Sequence, residues 1–388
     1  VFSTGKDMRL SSVGIVTYHA AYNFGSVLQA LGTQIAFEKH GCSASIINYR
    51  PSGQRAFYET LYRTNHSLKT LINDLSLISV KSDRLLRAER FERFINQQLN
   101  LTECVEKASD LGKFADSFDI YVSGSDQILN IHSNEYSGSD WDAMKPYLLD
   151  FTNRRKVSYA SSPANMTRDE IKHIVPDLQK FTMLSAREQD AAEMIGQLVG
   201  RPCANVLDPT LLVGADSWRR IATRAADEMN LPKKYALIYS LNGTKTVMQQ
   251  YSLYRRVSDI LNMPVVLIAP FAWFPTNKHI VDGRAAGPAE FINIIDHAIV
   301  VITDSYHGTL FSMNLGTPFL SMSNGKGSST RKDQVLHRMQ ASESIVKGIE
   351  DAVHYLERSG IPSVRDITKP LAGARQFSKD YIAHTLDF

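Results

Sequence analysis

The sequence predicts an α/β protein of two Rossmann-like halves facing a cleft. Three observations carry that reading. Short apolar runs rich in β-branched residues alternate with stretches of helical spacing, the rhythm of parallel sheets covered by helices on both faces. These runs end repeatedly in small polar residues, at strand carboxyl ends, where ligands collect in open α/β sheets. The rhythm breaks near residues 212–216 and then starts again.

In the first half, residues 12–18 (SVGIVTY) read as a strand and 26–40 as a helix with an apolar stripe at Val27, Leu31 and Ile35. Gly41 is placed to end that helix, and 45–49 (SIINY) is the second strand. The crossover from His19 to Ser26 has neither a GxGxxG nor a P-loop spacing, and taken alone it is a turn with Ser26 as helix cap. Between about 52 and 115 the strand signal gives way to a helical insertion. Its helix at 83–99 is basic through Lys81, Arg84, Arg87, Arg90 and Arg93, which reads as a solvated face. The sharper reading is a contact with a lipid-linked diphosphate or a membrane surface.

A strand at 118–122 runs into Ser123-Gly124-Ser125-Asp126-Gln127, a pocket wall in which Asp126 also suits a helix cap. Asp140-Trp141-Asp142 has the form of a metal-carrying DxD but follows a Gly/Ser-rich loop, so it is set aside. Strands at 156–161 and 181–186 flank a helix that Thr167 and Glu170 cap. The second of these ends at Arg187-Glu188, and a strand at 205–207 ends at Asp208-Pro209. Arg187 there suits a bidentate clamp for a carboxylate or phosphate, or else a surface salt bridge with Glu188 or Asp190.

The second half repeats the pattern, with strands at 235–241, 264–269 and 299–302. The last runs into Asp304-Ser305-Tyr306-His307-Gly308-Thr309 and a helix closed by Gly316 and Pro318. Free N–H groups and the helix dipole at that turn favour an anion. Gly308 would let a ligand approach the backbone, and His307 adds a donor or a titratable proton. A loop at 323–330 leads to Arg331, Lys332 and a helix containing Arg338. The chain thus divides into residues 8–213, 214–340 and a helical tail at 341–388.

Composition excludes several classes. With 43% hydrophobic and 21% charged residues in 388, this is an ordinary globular chain, and a net charge of +3 is too small to argue for nucleic acid. Three scattered cysteines without a CxxC suggest neither a disulfide framework nor zinc, and read as reduced thiols of a cytosolic protein. No apolar run approaches the ~18 residues of a membrane span, and the opening residues lack a signal peptide's apolar core.

Seven motifs then appear in a telling order: Asn23-Phe24-Gly25-Ser26 with Leu28-Gln29, Ser123-Gly124-Ser125-Asp126-Gln127, Tyr159-Ala160-Ser161, Ser185-Ala186-Arg187-Glu188, Leu207-Asp208-Pro209-Thr210, Gly287-Pro288 with Glu290-Phe291, and Asp304-Ser305-Tyr306-His307-Gly308. From about Val13 to Arg338 the chain resembles the polysaccharide pyruvyl transferases, departing where Phe24 and Tyr306 stand for the family's frequent Tyr and Phe. The resemblance implies a GT-B-like fold, phosphoenolpyruvate as donor, a sugar of a lipid-linked or surface glycan as acceptor, and no metal or other cofactor. It also implies a cytoplasmic enzyme, with peripheral contact to a membrane-borne acceptor as a further expectation.

Making a pyruvate ketal requires an acid for the enol carbon, a base for sugar hydroxyls, and donors for three negative charges. His307 is the candidate acid, and Asp126 the candidate base or acceptor anchor. Arg187, Ser305, Gly308 and Thr309 are candidates for the donor's carboxylate and phosphate, with Arg331 and Arg338 closing over it. Asn23, Gly25, Ser26, Ser125 and Gln127 fall to the acceptor side. A nucleotide-sugar glycosyltransferase on the same fold is the runner-up, and a non-catalytic glycan-binding protein the third reading.

Overall fold

A computed structural model describes residues 11–51, 81–133, 135, 140–323, 328–364 and 366–387, without the side chains of 328–330. In the first half, β1 (Ser12–Val16), β2 (Ser43–Ile46), β3 (Ile120–Ser123) and β4 (Arg155–Ser158) form a parallel sheet in the order β2-β1-β3-β4. The parallel pair β5 (Leu184–Ala186) and β6 (Cys203–Asn205) continues it through bridges from Val157 to Met183 and from Ser161 to Ala186. Its helices are α1 (Phe24–Glu38), α2 (Lys81–Gln98), α3 (Arg168–Leu178), α4 (Gln189–Val199) and the single turn α5 (Pro209–Leu212). Thr167 and Glu170 form the expected capping box on α3. Helix α1 starts two residues earlier than its apolar stripe suggests. Asn23 is its cap, accepting from the Gly25 amide, and Ser26 lies inside the helix.

The second half holds α6 (Ala215–Ala225), β7 (Ala236–Tyr239), α7 (Thr244–Leu261), β8 (Val265–Ile268), β9 (Ile280–Asp282), α8 (Pro288–His297), β10 (Val300–Thr303), α9 (Tyr306–Leu315), β11 (Phe319–Met322) and α10 (Ser328–Arg338). Every residue of β7, β8, β10 and β11 is buried, as strands covered on both faces require. Helix α9 ends on Gly316 at φ 76, a left-handed cap that a Cβ would strain.

The segment after residue 340 is not one helical tail. β12 (Ile345–Val346) pairs with β11 and completes a parallel sheet in the order β12-β11-β10-β7-β8-β9, and α11 (Ile349–Ser359) packs on α7. Only α12 (Thr368–Leu386) leaves, and it returns to the first half. There Tyr381 donates to the Ser158 carbonyl and Ser378 accepts from the Leu207 amide.

The halves share one core. Phe24 of α1 stacks on Phe291 of α8 with ring centroids 4.2 Å apart and planes 4° from parallel, and Phe91 of α2 packs beside them. Burying each such ring contributes about 1.5–3 kcal/mol. The basic helix α2 turns out to be a strap. Arg90 and Arg93 bind Asp227 of the second half, Arg90 also donates to the Ala285 carbonyl, and Arg87 donates to the Tyr22 carbonyl. Two of its five cations, Arg90 and Arg93, are therefore spent on joining the halves rather than on a solvated face. Glu290, in the Gly-Pro motif, serves the same joint by accepting from the amides of Gly287 and Asp227. The rest of the expected insertion, residues 52–80, lies outside the described residues.

Candidate active site

The carboxyl ends of β1, β3, β5, β7 and β10 converge on a cleft of about 740 Å³, open mouth included. Tyr18, Ser26, Asp126, Arg187, His307 and Lys332 are among its walls. The first half supplies acids at these ends, and a cation that holds them. Arg187, 4% exposed, donates through Nε to Glu188 at 2.9 Å and through Nη1 to Asp208 at 3.0 Å, while Nη2 lies 3.8 Å from Asp126. The Tyr306 ring covers the guanidinium at 4.6 Å. Arg187 is therefore neither a surface ion pair nor an open bidentate clamp, because the chain's own carboxylates take Nε and Nη1. Asp190, its other expected partner, accepts from Gln334 instead.

Asp126 is no helix cap, for no helix follows β3 directly. It sits at φ 77, a left-handed conformation rare for a residue with a Cβ, and such strain collects at functional sites. Its carboxylate accepts from the Gln127 amide at 2.8 Å and from the Ser26 hydroxyl at 2.7 Å. Ser26 lines the cleft, so Asp126 is coupled to it through that hydroxyl. Asn23 and Gln127 line the same wall. Ser125 does not. It is wholly buried behind the wall, its carbonyl accepting from Thr17. Gly25 also leaves the acceptor side, for it lies against His307, where an added Cβ would stand 1.9 Å from Nδ1.

The second half supplies the turn before α9. Ser305 lines the cleft and caps the helix, its hydroxyl accepting from the Gly308 amide. The Thr309 amide bonds to the Ser305 carbonyl. Both amides expected to grip the donor are thus committed inside the turn. Gly308 answers a different crowding, since a Cβ there would meet Thr303 Oγ1 at 2.7 Å and Tyr239 at 2.9 Å. An anion at this helix end would find the amides of Tyr306 and His307, which bond to no described residue.

His307 is 8% exposed, and its Nε2 lies 3.5 Å from Asp208 Oδ2, a contact too long for a good hydrogen bond. Asp208 is itself fixed, capping α5 and accepting from the amide and hydroxyl of Thr210. Burial would raise its pKa, but the neighbouring His307 and Arg187 and the Thr210 bonds hold it well below the ordinary carboxylate range. Asp304 goes the other way. Burial raises it despite the bonds from Ser240, Leu241 and Asn242, so it braces the turn.

Two cations at the start of α10 complete the cleft. Arg331, 7% exposed, makes no hydrogen bond or ion pair with any described residue, and its Nη1 is fully buried. Burial first, then the charge of Arg187, lowers its pKa. Lys332 donates to the carbonyls of Asp304 at 2.5 Å and Met322 at 2.6 Å, and burial lowers its pKa to about 8. Arg338 is not brought to this cleft. It bonds Asn205 and lines a smaller cavity of about 430 Å³ behind Tyr306.

Asp208, Tyr306 and Lys332 were not singled out as site residues by sequence reasoning. Asp208 stands in the sequence only as the end of a short strand before Pro209, while in the structure it caps α5, and Lys332 follows a loop with no strand-end signal. The adjacent pair Arg331-Lys332 just past a Gly/Ser-rich loop was the one available pointer.

A family model described as polysaccharide pyruvyl transferase matches residues 23–326. No curated protein sequence matches significantly. Among solved structures, a putative UDP-N-acetylglucosamine 2-epimerase from Listeria monocytogenes is similar at a TM-score of 0.53 and 10% identity, covering 97% of this chain and 94% of that one. The UDP-N-acetylglucosamine 2-epimerase of Rickettsia bellii has a TM-score of 0.51 at 10% identity, covering 97% and 99%. That of Methanocaldococcus jannaschii, solved with UDP-GlcNAc and UDP, has 0.51 at 12%, covering 95% and 99%. At such identities the likeness is one of fold, the GT-B arrangement of two Rossmann-like halves.

Proposed function

Since this chain belongs to the polysaccharide pyruvyl transferase family, we propose that it transfers a pyruvyl group from phosphoenolpyruvate to a sugar of a cell-surface or lipid-linked glycan, giving a ketal and phosphate. The observation that supports this most is Arg331, a buried cation without a partner among the described residues, lining one cleft with His307, an imidazole that hydrogen-bonds to none of them. Leaving a buried charge unpaired is costly, and a small polyanion is the ligand that removes the cost. Arg331 would take the donor's carboxylate. Lys332 and the amides of Tyr306 and His307 would take its phosphate.

In this reading His307 protonates the methylene carbon, the double-bond electrons forming the new C–H bond. The adjacent carbon then accepts a sugar oxygen, whose proton passes through Ser26 to Asp126. A second sugar hydroxyl displaces phosphate from the same carbon, its proton leaving with the phosphate. Asp126 and Ser26 act from the first half, and His307 from the second.

His307→Asn tests the assignment. Loss of the acid should lower kcat by roughly 10²–10⁴-fold while phosphoenolpyruvate affinity and melting temperature hold. A rise confined to KM would make His307 a phosphate ligand. Wild-type kinetics in a folded variant would remove it from the mechanism. The donor itself is tested by thermal shift, where stabilisation by UDP- or GDP-sugars but not by phosphoenolpyruvate would favour a glycosyltransferase. Mass spectrometry of products from a lipid-linked oligosaccharide panel, read for added pyruvate, identifies the acceptor.

A further inference from the structure

We propose that Nδ1 of His307 is the nitrogen that exchanges a proton with the substrate, and that Asp208 and Gly25 are the positioning residues that make it so. The substrate's identity rests on the pyruvyl-transfer reading; the choice of nitrogen rests on geometry alone.

The two ring nitrogens have different surroundings. Nε2 is fully buried and faces Asp208 Oδ2 at 3.5 Å. Asp208 is an anion that cannot turn away, because Arg187 and Thr210 hold both of its oxygens. A carboxylate in that place keeps the hydrogen on Nε2, as carboxylates do for histidines that work through their other nitrogen. Nδ1 makes no hydrogen bond to any described residue, is not among the fully buried orphan atoms, and belongs to a residue that lines the cleft.

Gly25 keeps that nitrogen open. A Cβ on Gly25 would fall 1.9 Å from Nδ1 and only 2.4 and 2.5 Å from the flanking Cγ and Cε1. That is the pattern of a point above the ring face, over Nδ1. A point in the ring plane along the Nδ1 lone pair would stand much farther from both carbons than from the nitrogen. The backbone of α1 therefore covers the ring's face while its edge stays clear. Only glycine permits the approach, and the reacting atom must come in beside the amino end of α1, where Ser26 lines the same cleft.

Other charged and titratable groups near the ring do not offer Nε2 a second partner. Arg187 is turned to Asp208 and Glu188, and Tyr306 meets the imidazole edge-on at 5.1 Å. Asp126, Arg331 and Lys332 line the same cleft. Histidine and both its positioning residues belong to different halves, so the working ring orientation exists only where the halves join.

The test is ¹⁵N NMR of the full chain labelled at histidine, with His307 assigned by its absence in His307→Gln. As the neutral imidazole, wild-type His307 should carry hydrogen on Nε2 and show an unprotonated Nδ1. Asp208→Asn, whose amide can donate to Nε2, should move hydrogen to Nδ1 and lower phosphoenolpyruvate turnover by on the order of 10²-fold or more. Hydrogen on Nδ1 in the wild type would overturn the proposal without any variant. Gly25→Ala, which displaces the ring but not the carboxylate, should lower kcat at least about tenfold with donor Kd kept. Unchanged kcat in folded Gly25→Ala would also overturn it. If the wild-type tautomer is as expected but phosphoenolpyruvate is never consumed, the donor reading fails and the Asp208–His307–Gly25 arrangement stands.

Discussion

The strand ends of the two halves use charge in opposite ways. In the first half, Asp126, Glu188 and Asp208 surround Arg187, whose Nε and Nη1 both find carboxylates. In the second, Arg331 has no partner among the described residues, and Lys332 bonds two backbone carbonyls. Both arginines are more than nine-tenths buried. Burial alone therefore does not mark a ligand-binding cation. What marks it is an unmet bond, since native proteins satisfy nearly all buried polar groups unless something else is to do so. On the proposed reading, the saturated half fixes geometry and the unsaturated half is left to take the donor.

One substitution made twice tests that contrast. Arg187→Met should have the largest effect, because it keeps volume but leaves Glu188 and Asp208 as uncompensated buried charges. Removing one partner of such a cluster costs about 3–5 kcal/mol, so the melting temperature should fall steeply and activity with it. Asp208 adds a pH signature. Its folded pKa is depressed, so its share of stability is present at neutral pH and is lost as pH falls below the ordinary carboxylate range. A melting temperature unchanged in Arg187→Met would dissolve the distinction between the halves.

Arg331→Met should do the reverse. Removing an unpaired buried cation should leave the melting temperature level or raised. A charge-assisted bond to a ligand is worth about 1.5–3 kcal/mol, so the KM for phosphoenolpyruvate should rise roughly ten- to hundredfold. Urea or thermal melts beside initial-rate kinetics read both quantities. A destabilised Arg331→Met with normal KM would make Arg331 a scaffold residue like Arg187.

The same contrast explains what the sequence made legible. Strand ends were readable because β-branched runs such as Val300–Thr303 give way abruptly to polar turns, and the order of motifs located the cleft. The state of each side chain there was not readable. Gly308 stands as ready for a ligand in the sequence as Gly25 does, yet Gly308 accommodates Thr303 and Tyr239 while Gly25 accommodates His307. Arg187 is as exposed to suspicion as Arg331, and only the positions of Glu188 and Asp208 separate them. Asp208 lies 99 positions before His307, and nothing local in either segment announces the other. Such pairings depend on how two sheets meet, which single-segment patterns do not encode.

Lys332 gives the smallest effect and the subtlest division between holding the fold and holding the ligand. Its pKa is lowered to about 8 by burial, against 10.5 for an exposed lysine. Between those values the native state has released a proton that the unfolded chain keeps. Unfolded protein then binds more protons, so the Lys332 contribution to stability rises with pH from about 8 toward 10.5. Donor binding should run the other way. The phosphate of the donor is fully ionised above neutrality, and it gains from Lys332 only while the ammonium persists. The KM for phosphoenolpyruvate should therefore be level below pH 8 and climb above it, by no more than about tenfold per pH unit for one proton. Because other lysines and tyrosines titrate in the same range, the difference between wild type and Lys332→Met is the quantity to read, in melting temperature and in KM alike. Wild type should gain stability relative to the variant as pH rises, while losing its advantage in donor affinity. Parallel curves for the two proteins in KM would place Lys332 with the saturated scaffold, its two carbonyl bonds being its whole role.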